Sequence, residues 1–249
     1  MIGPFFPHRN HAYGTASMPK ISGGSSGESK PWLDADGSYN FDGSDDYVSW
    51  TQAAWQTWGS WKTLAGWVKF NGLSNQVVAH RSDLDVNGWY ILFNSSGQFT
   101  VCTGNGVVYA ATSSATSLIS AGTWYHVAFV KNGDNSQVSV YINGVDRTSS
   151  HADHSGYNDL AGQMIFAENV QSLNAKTCEW FVSTAALTVA QLQAIAGKSW
   201  ADGINANIVS AWSMDDGTGV VCVDAVGAND GAISQDLGSG FFSSDTPYI

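Results

Sequence analysis

From residue 39 onward the chain falls into short segments of alternating apolar and polar positions, separated by Gly, Asn, Asp and Ser. That period of two is the pattern of strands with one buried and one wetter face. It predicts strands over 46–50, 62–70, 75–80, 88–94, 97–102, 106–111, 123–131, 136–142, 162–167, 177–183 and 207–214. The clearest pair runs from Thr123 to Lys131 and from Gln137 to Gly144, joined by Asn132-Gly-Asp-Asn135. It reads as a hairpin in which Val138, Val140 and Ile142 share one face, with Asn143-Gly144 as a second tight turn. One helix is legible, Val189–Ala196: Thr188 caps it, Gln191 holds the capping-box position, Leu187 staples to Leu192, and Gly197 ends it. A single short helix among about eleven strands predicts an all-β fold of two stacked antiparallel sheets and excludes a doubly wound one.

Residues 1–31 lack this periodicity and end in Ser22-Gly-Gly-Ser-Ser-Gly-Glu-Ser-Lys-Pro31, so they read as an extended arm or linker ahead of a sandwich over 32–249. Fully extended, the arm reaches on the order of 100 Å at about 3.3 Å per residue. Its apolar start, Ile2, Phe5 and Phe6, has two readings: an anchor on a neighbouring molecule, or loose packing on its own domain.

Composition narrows the partners. With 27 glycines, 5 prolines and only 12% charged residues, the chain has a strand-and-turn composition. Its 21 acidic and 10 basic side chains leave a net charge of -11, which repels a phosphate backbone and argues against a nucleic-acid partner. The same charge favours solubility and raises the local concentration of cations. Cys102, Cys178 and Cys222 are odd in number and lie in apolar runs, as expected of buried free thiols. The first residues do not have the basic start and apolar core of an export signal, and no stretch is long and apolar enough to suggest a membrane span.

Several segments together resemble the laminin G-like jelly roll of the concanavalin A-like lectin and glucanase superfamily. Phe41-Asp-Gly-Ser-Asp-Asp-Tyr-Val48 is similar to its early FDG-x-DDYV strand, and Leu64-Ala-Gly-Trp-Val-Lys69 to the aromatic strand that follows. Gly122-Thr-Trp-Tyr-His-Val-Ala-Phe-Val130 with Val138–Gly144 resembles the GxWYHVA and VxLYVNG hairpin, the most specific match. Cys178–Leu192 resembles the closing strand and its helix. The segment from Ile208 to Gly231 looks like the family's opening strand and loop, yet here it comes last. The resemblance therefore implies a circularly permuted order, with 207–233 pairing beside the strand near 41–48 and the segment 207–249 closing one domain. The alternative is a second, truncated module, but a lone strand cannot bury its own apolar face.

Catalysis finds little support. Glycan-cleaving members of this superfamily need two carboxylates about 5 to 5.5 Å apart when retaining, and the chain has three glutamates, Glu28, Glu168 and Glu179. Glu28 lies in the arm, and Glu179 has Thr177 and Phe181 where a partner carboxylate belongs. Gly23-Gly-Ser-Ser-Gly27 spells a nucleophile elbow without the flanking strand and helix, and Gly197-Lys-Ser199 follows a helix instead of opening one. His151, Asp153 and His154 have no further ligand at metal-binding spacing and read as a solvated loop, and His126 as a satisfied strand residue.

Two constellations remain. Asp42, Asp45 and Asp46, with Asp215, Asp216, Asp224, Asn229 and Asp230, form an oxygen-rich set suited to a structural calcium, which the family's members often hold, although Asp is also an ordinary turn residue. Trp50, Trp55, Trp58 and Trp61 lie in a stretch too polar and irregular for a central strand; they suit stacking on sugars or anchoring a protein interface, or equally an inward-folded satellite core. The expectation that follows is a non-catalytic structural or adhesion protein of a large assembly: a bacteriophage virion accessory protein such as a decoration, head-fibre or tail component, docked by its arm and assembled in a host cytoplasm. The competing expectation is an extracellular carbohydrate-binding module, calcium-dependent if the Asp set binds calcium. The partners would then be other virion proteins, a host glycan or further copies of the chain.

Overall fold

The computed structural model describes residues 35–82, 87–107, 109–157, 164–167, 172–199, 204–234 and 240–248. The arm, with Ile2, Phe5, Phe6 and Glu28, lies outside the described residues, as does Glu168. In chain order the strands are β1 (Ser38–Asp42), β2 (Val48–Trp50), β3 (Thr63–Phe70), β4 (Gln76–Ser82), β5 (Asn87–Phe93), β6 (Phe99–Asn105) and β7 (Tyr109–Ser114). There follow β8 (Tyr125–Lys131), β9 (Val138–Ile142), β10 (Val145–Asp146), β11 (Thr148–Ser150), β12 (Met164–Phe166) and β13 (Asn174–Ser183). After helix α1 (Val189–Ala196) come β14 (Ile208–Trp212), β15 (Val221–Cys222), β16 (Gly231–Ile233) and β17 (Phe242–Ser243).

The strands make two antiparallel sheets. The first runs β10-β9-β8-β3-β13-β1-β17, with β14 also on β13; the second runs β11-β7-β6-β5-β4-β12-β2-β16-β15. Alternation sends one face of each sheet inward, and three aromatic pairs clamp the two faces together. Phe70 of β3 stacks on Phe93 of β5 at 3.7 Å, Phe129 of β8 meets Phe99 of β6 edge-on at 5.7 Å, and Trp180 of β13 meets Phe166 of β12 at 4.7 Å. This is the expected all-β jelly-roll sandwich with one α-helix.

Every predicted segment overlaps a strand, with shifted ends at 97–102 and 106–111. The local signals hold in detail: Asn143 (φ 50°) and Gly144 (φ 71°) form the tight turn after β9, and a Cβ at Gly144 would lie 2.7 Å from the Cα of Gln193 on the helix above it. At the helix start the Gln191 N–H donates to Thr188 Oγ1 (3.3 Å), and Gln191 Oε1 accepts from the Thr188 N–H (3.0 Å). Leu187, Leu192 and Ile195 pack against Ala65, Ala128 and Phe181, which covers the outer face of the first sheet.

The C-terminal segment reaches both sheets. Ala232 and Ile233 pair with Ser49 and Val48, whereas β14 pairs with Trp180–Ser183 of β13 instead of lying beside 41–48. The reason is a register shift between Cys178 and Phe181: β1 occupies the first half of that side of β13, through Thr177, and leaves the second half to β14. At the shift Glu179 takes a left-handed conformation (φ 51°). Its buried carboxylate accepts the Ala35 N–H at 3.2 Å and the Tyr248 hydroxyl, so this glutamate ties both ends of the described domain to β13. Asp245 fastens the same C-terminal strap through Lys69 (2.7 Å), Lys176 (2.8 Å) and the Trp124 indole (3.0 Å).

Trp180 lies directly on Gly66 of β3, where a Cβ would stand 2.3 Å from the indole. Gly66→Ala must therefore displace Trp180 or part β3 from β13, and overpacking of this kind costs about 1–3 kcal/mol. Urea denaturation is expected to show that loss; a variant as stable as the parent would mean the indole has room to move.

Candidate functional site

The tryptophan-rich stretch closes one end of the sandwich. Gln56 is buried in a 3-10 turn (Ala54–Gln56); its side chain accepts the Ala53 N–H (3.2 Å) and donates to Thr51 O (2.9 Å). With the loop so held, Trp50, Trp58 and Trp61 point inward and are at most 2% exposed, and Trp55 is half-buried against Trp212. This corrects the surface reading of the tryptophans: Trp50, Trp58 and Trp61 belong to the main core and offer no open ring to a sugar or a partner.

That plug contains a buried lysine. Lys131 follows Val127 and Phe129 on the inward face of β8, and its ammonium lies 3.7 Å from the Trp61 ring and 4.3 Å from the Trp58 ring while donating to Trp58 O. Burial pushes the Lys131 amine down to about 6, and the nearby Lys62 charge adds to the shift; the two indole faces favour the cation and act the other way. His154, expected in a solvated loop, is buried beside Trp58 at 5.2 Å. Its ring nitrogens bond Thr103 Oγ1 (2.8 Å) and Thr112 Oγ1 (2.9 Å), and burial pushes it down to about 4, against the pull of Asp153. His154 is therefore neutral at pH 7 and acts as the peg that holds the 151–157 loop on β6 and β7.

The pegged loop and the sheet end enclose a cleft of about 250 Å³, lined by Thr103, Asn105, Tyr109, Ala110, Asp153 and Ser155. Tyr109 stands at its rim, 51% exposed. Neighbours along β6 face opposite ways, so Thr103 meets His154 inside while Cys102 meets Tyr109 outside, Sγ to hydroxyl 2.9 Å. Tyr90, opposite Cys102 on β5, brings its ring within 6.3 Å of Tyr109. Burial raises the Cys102 thiol to about 11 and the Tyr109 phenol to about 12, so both stay protonated and the trio holds the Tyr109 ring by neutral hydrogen bonds. A cleft lined by Asn105, Asp153 and Ser155 with the half-exposed Tyr109 at its rim has the means to bind a ligand with an apolar face and a hydroxyl-bearing edge. Sequence reasoning misses this site, whose only signal is a pair of tyrosines, Tyr90 and Tyr109, at outward-facing positions.

The acidic residues do not gather into one shell. Asp224 Oδ1 accepts the N–H groups of Ala211 (2.9 Å), Val226 (3.0 Å) and Gly227 (3.0 Å), and Oδ2 that of Asn229 (3.2 Å), while Asp230 accepts the Asp224 N–H (2.9 Å). Asp42 accepts the Ser44 N–H (2.8 Å), Asp45 is exposed, and Asp216 binds the Tyr39 hydroxyl. Among the described residues no group of three or more His, Cys, Asp or Glu is placed to hold a metal ion. Asp42, Asp45, Asp215, Asp224 and Asp230 thus do not form the single shell the calcium expectation needs, and Asp42, Asp224 and Asp230 cap the backbone of their own turns instead. Asp215 borders a second depression of about 290 Å³ with Asp36 and Phe242, next to Ala35 where the described chain begins. The three cysteines are buried and not joined in disulfides, and no described helix is long and apolar enough to cross a membrane.

The two-sheet jelly roll is the architecture of the concanavalin A-like lectin/glucanases superfamily. The chain belongs to the Laminin_G_3 family of the concanavalin A-like lectin/glucanases superfamily, whose model matches residues 42–193, more than half of its length. Among solved structures it is similar to a protein from Bacteroides ovatus ATCC 8483 described provisionally as carbohydrate binding, with a TM-score of 0.61 and 18% identity. The match covers 81% of this chain and 58% of that one, so the chain spans little more than half of the Bacteroides protein. It is also similar to the heptameric SAP-like pentraxin of Limulus polyphemus, with a TM-score of 0.52, 16% identity and coverage of 81% and 96%. No curated protein matches it in sequence.

The buried amine gives a pH test. Between about 6 and the ordinary 10.5 the unfolded chain holds a proton on Lys131 that the folded chain lacks, so this residue makes stability rise with pH across that window. Denaturation of the parent and Lys131→Met from pH 6 to 10 is expected to show the variant gaining most at the acidic end, with the gap closing toward pH 10. A constant gap would place the amine in a fully charged, solvated state.

Proposed function

We propose that the protein is a non-catalytic carbohydrate-binding module that takes a sugar ring in the Tyr109 cleft. The observation that carries this reading is the combination, in one cleft, of a pinned and half-exposed Tyr109 with Asn105, Asp153 and Ser155. A pyranose has an apolar face of C–H groups suited to an aromatic ring and a rim of hydroxyls suited to amide, hydroxyl and carboxylate partners. Likeness to lectin-type folds raises the prior and is analogy, since one fold hosts many functions. It favours glycan binding over the virion accessory role, which rests on an arm outside the described residues.

The chemistry at the cleft supports binding without catalysis. Asp153 is the one carboxylate among its lining residues, and hydrogen bonds from the Ser155 backbone and hydroxyl hold it below the usual carboxylate range. A glycosidase needs a second carboxyl that keeps its proton to protonate the leaving oxygen, and Asp153 gives its proton up too readily for that task. The only described glutamate, Glu179, is committed to Ala35 and Tyr248.

The test is calorimetric titration with the best ligand from a glycan array. Removing a stacking ring costs about 1–1.5 kcal/mol, roughly ten-fold in affinity, so Tyr109→Ala is expected to weaken binding by that factor. Asp245→Asn, on the outer face of the other sheet, is expected to leave it unchanged. Equal affinity of Tyr109→Ala and the parent would move the site elsewhere on the molecule.

A further inference from the structure

Resting on the reading of the Tyr109 cleft as a sugar site, we infer that the cleft selects by charge, taking uncharged and amine-bearing sugars and rejecting those that carry carboxylate or sulfate. Two neighbouring carboxylates carry the negative charge here. Asp153 lines the cleft, with Oδ1 fixed by the Ser155 N–H at 2.8 Å. Asp134, on the β8–β9 loop, accepts the Ser136 N–H (2.9 Å) and hydroxyl (2.7 Å) and lies close enough to oppose the ionisation of Asp153. Both side chains are exposed, and both are held ionised chiefly by those hydrogen bonds, so each keeps its negative charge down to mildly acid pH.

Among the described residues no cation lines the cleft beside them. Neither Lys nor Arg is among the lining residues of the cleft. Lys131 faces inward between two indoles and is buried. Lys62 turns its ammonium to Gly133 O (2.6 Å), Asn135 Oδ1 (2.7 Å) and Asn132 O (3.3 Å). His154 is buried, neutral and engaged at both ring nitrogens. The whole chain, at -11, carries the same sign. An acidic sugar would therefore bring an anion to Asp153 without a guanidinium or ammonium to receive it, whereas a protonated amino sugar gains an ion pair.

The experiment is an array that pairs neutral oligosaccharides with sialylated, sulfated and amino-sugar counterparts, followed by titration of the best pair at low salt. One unfavourable charge contact in water corresponds to roughly a five-fold loss, so the acidic member is expected to bind about five-fold more weakly and the amino sugar at least as tightly as the neutral one. Asp134→Asn with Asp153→Asn is expected to shrink the neutral-to-acidic ratio toward one, as is high salt. Acidic sugars binding as well as neutral ones, or a ratio unmoved by the two substitutions, overturns the inference and leaves the sugar site standing. A ligand whose affinity ignores Tyr109→Ala, or an array with no binding at all, removes the sugar site and the inference with it.

Discussion

The indole of Trp180 resting on Gly66 is the contact on which the rest of the molecule depends. It sets how closely β3 and β13 approach at the centre of the first sheet, and it carries Phe166 of the second sheet edge-on against the same ring. To seat that indole, β13 shifts register between Cys178 and Phe181. The shift turns Glu179 into the left-handed region and lets its buried carboxylate catch Ala35 and Tyr248. It also divides one side of β13 between β1 and β14, so the C-terminal segment enters the sheet at the position the shift leaves free.

The far end of the sandwich is closed by a different device, and the candidate site is built on it. Trp58 and Trp61 flank the buried Lys131, Trp58 packs on His154, and His154 pins the 151–157 loop to Thr103 and Thr112. Both ring nitrogens of the buried His154 are hydrogen-bonded, and a satisfied buried polar group fixes geometry more sharply than apolar packing does. The cleft wall with Asp153 and Ser155 is thus set by neutral hydrogen bonds beneath it, and the Tyr109 ring by Cys102 and Tyr90 beside it.

Local chemistry made much of the fold legible. The cap and staple of α1, the Asn143-Gly144 turn and the alternation of β8 and β9 each need only neighbours in sequence. A strand of two residues such as β17 is held by a partner far along the chain and has no periodicity of its own. The site was misread for related reasons. Polar, irregular sequence around Trp55–Trp61 resembles a surface loop, yet Gln56 satisfies the backbone so that the indoles can turn inward. Asp224 looks like a ligand because a carboxylate that collects backbone N–H groups and one that collects a cation are the same residue type in sequence. Tyr109 is a single aromatic in a Gly-, Ser- and Thr-rich stretch, and only the pairing of β5, β6 and β7 places it beside Tyr90 and Cys102.

The central claim is that this arrangement holds a sugar, and a crystal structure with the tightest-binding oligosaccharide tests it most directly. The account predicts a pyranose ring against Tyr109 with its hydroxyls on Asn105, Asp153 or Ser155. A sugar seated instead in the depression beside Asp36, Asp215 and Phe242, with the Tyr109 cleft empty, would contradict it.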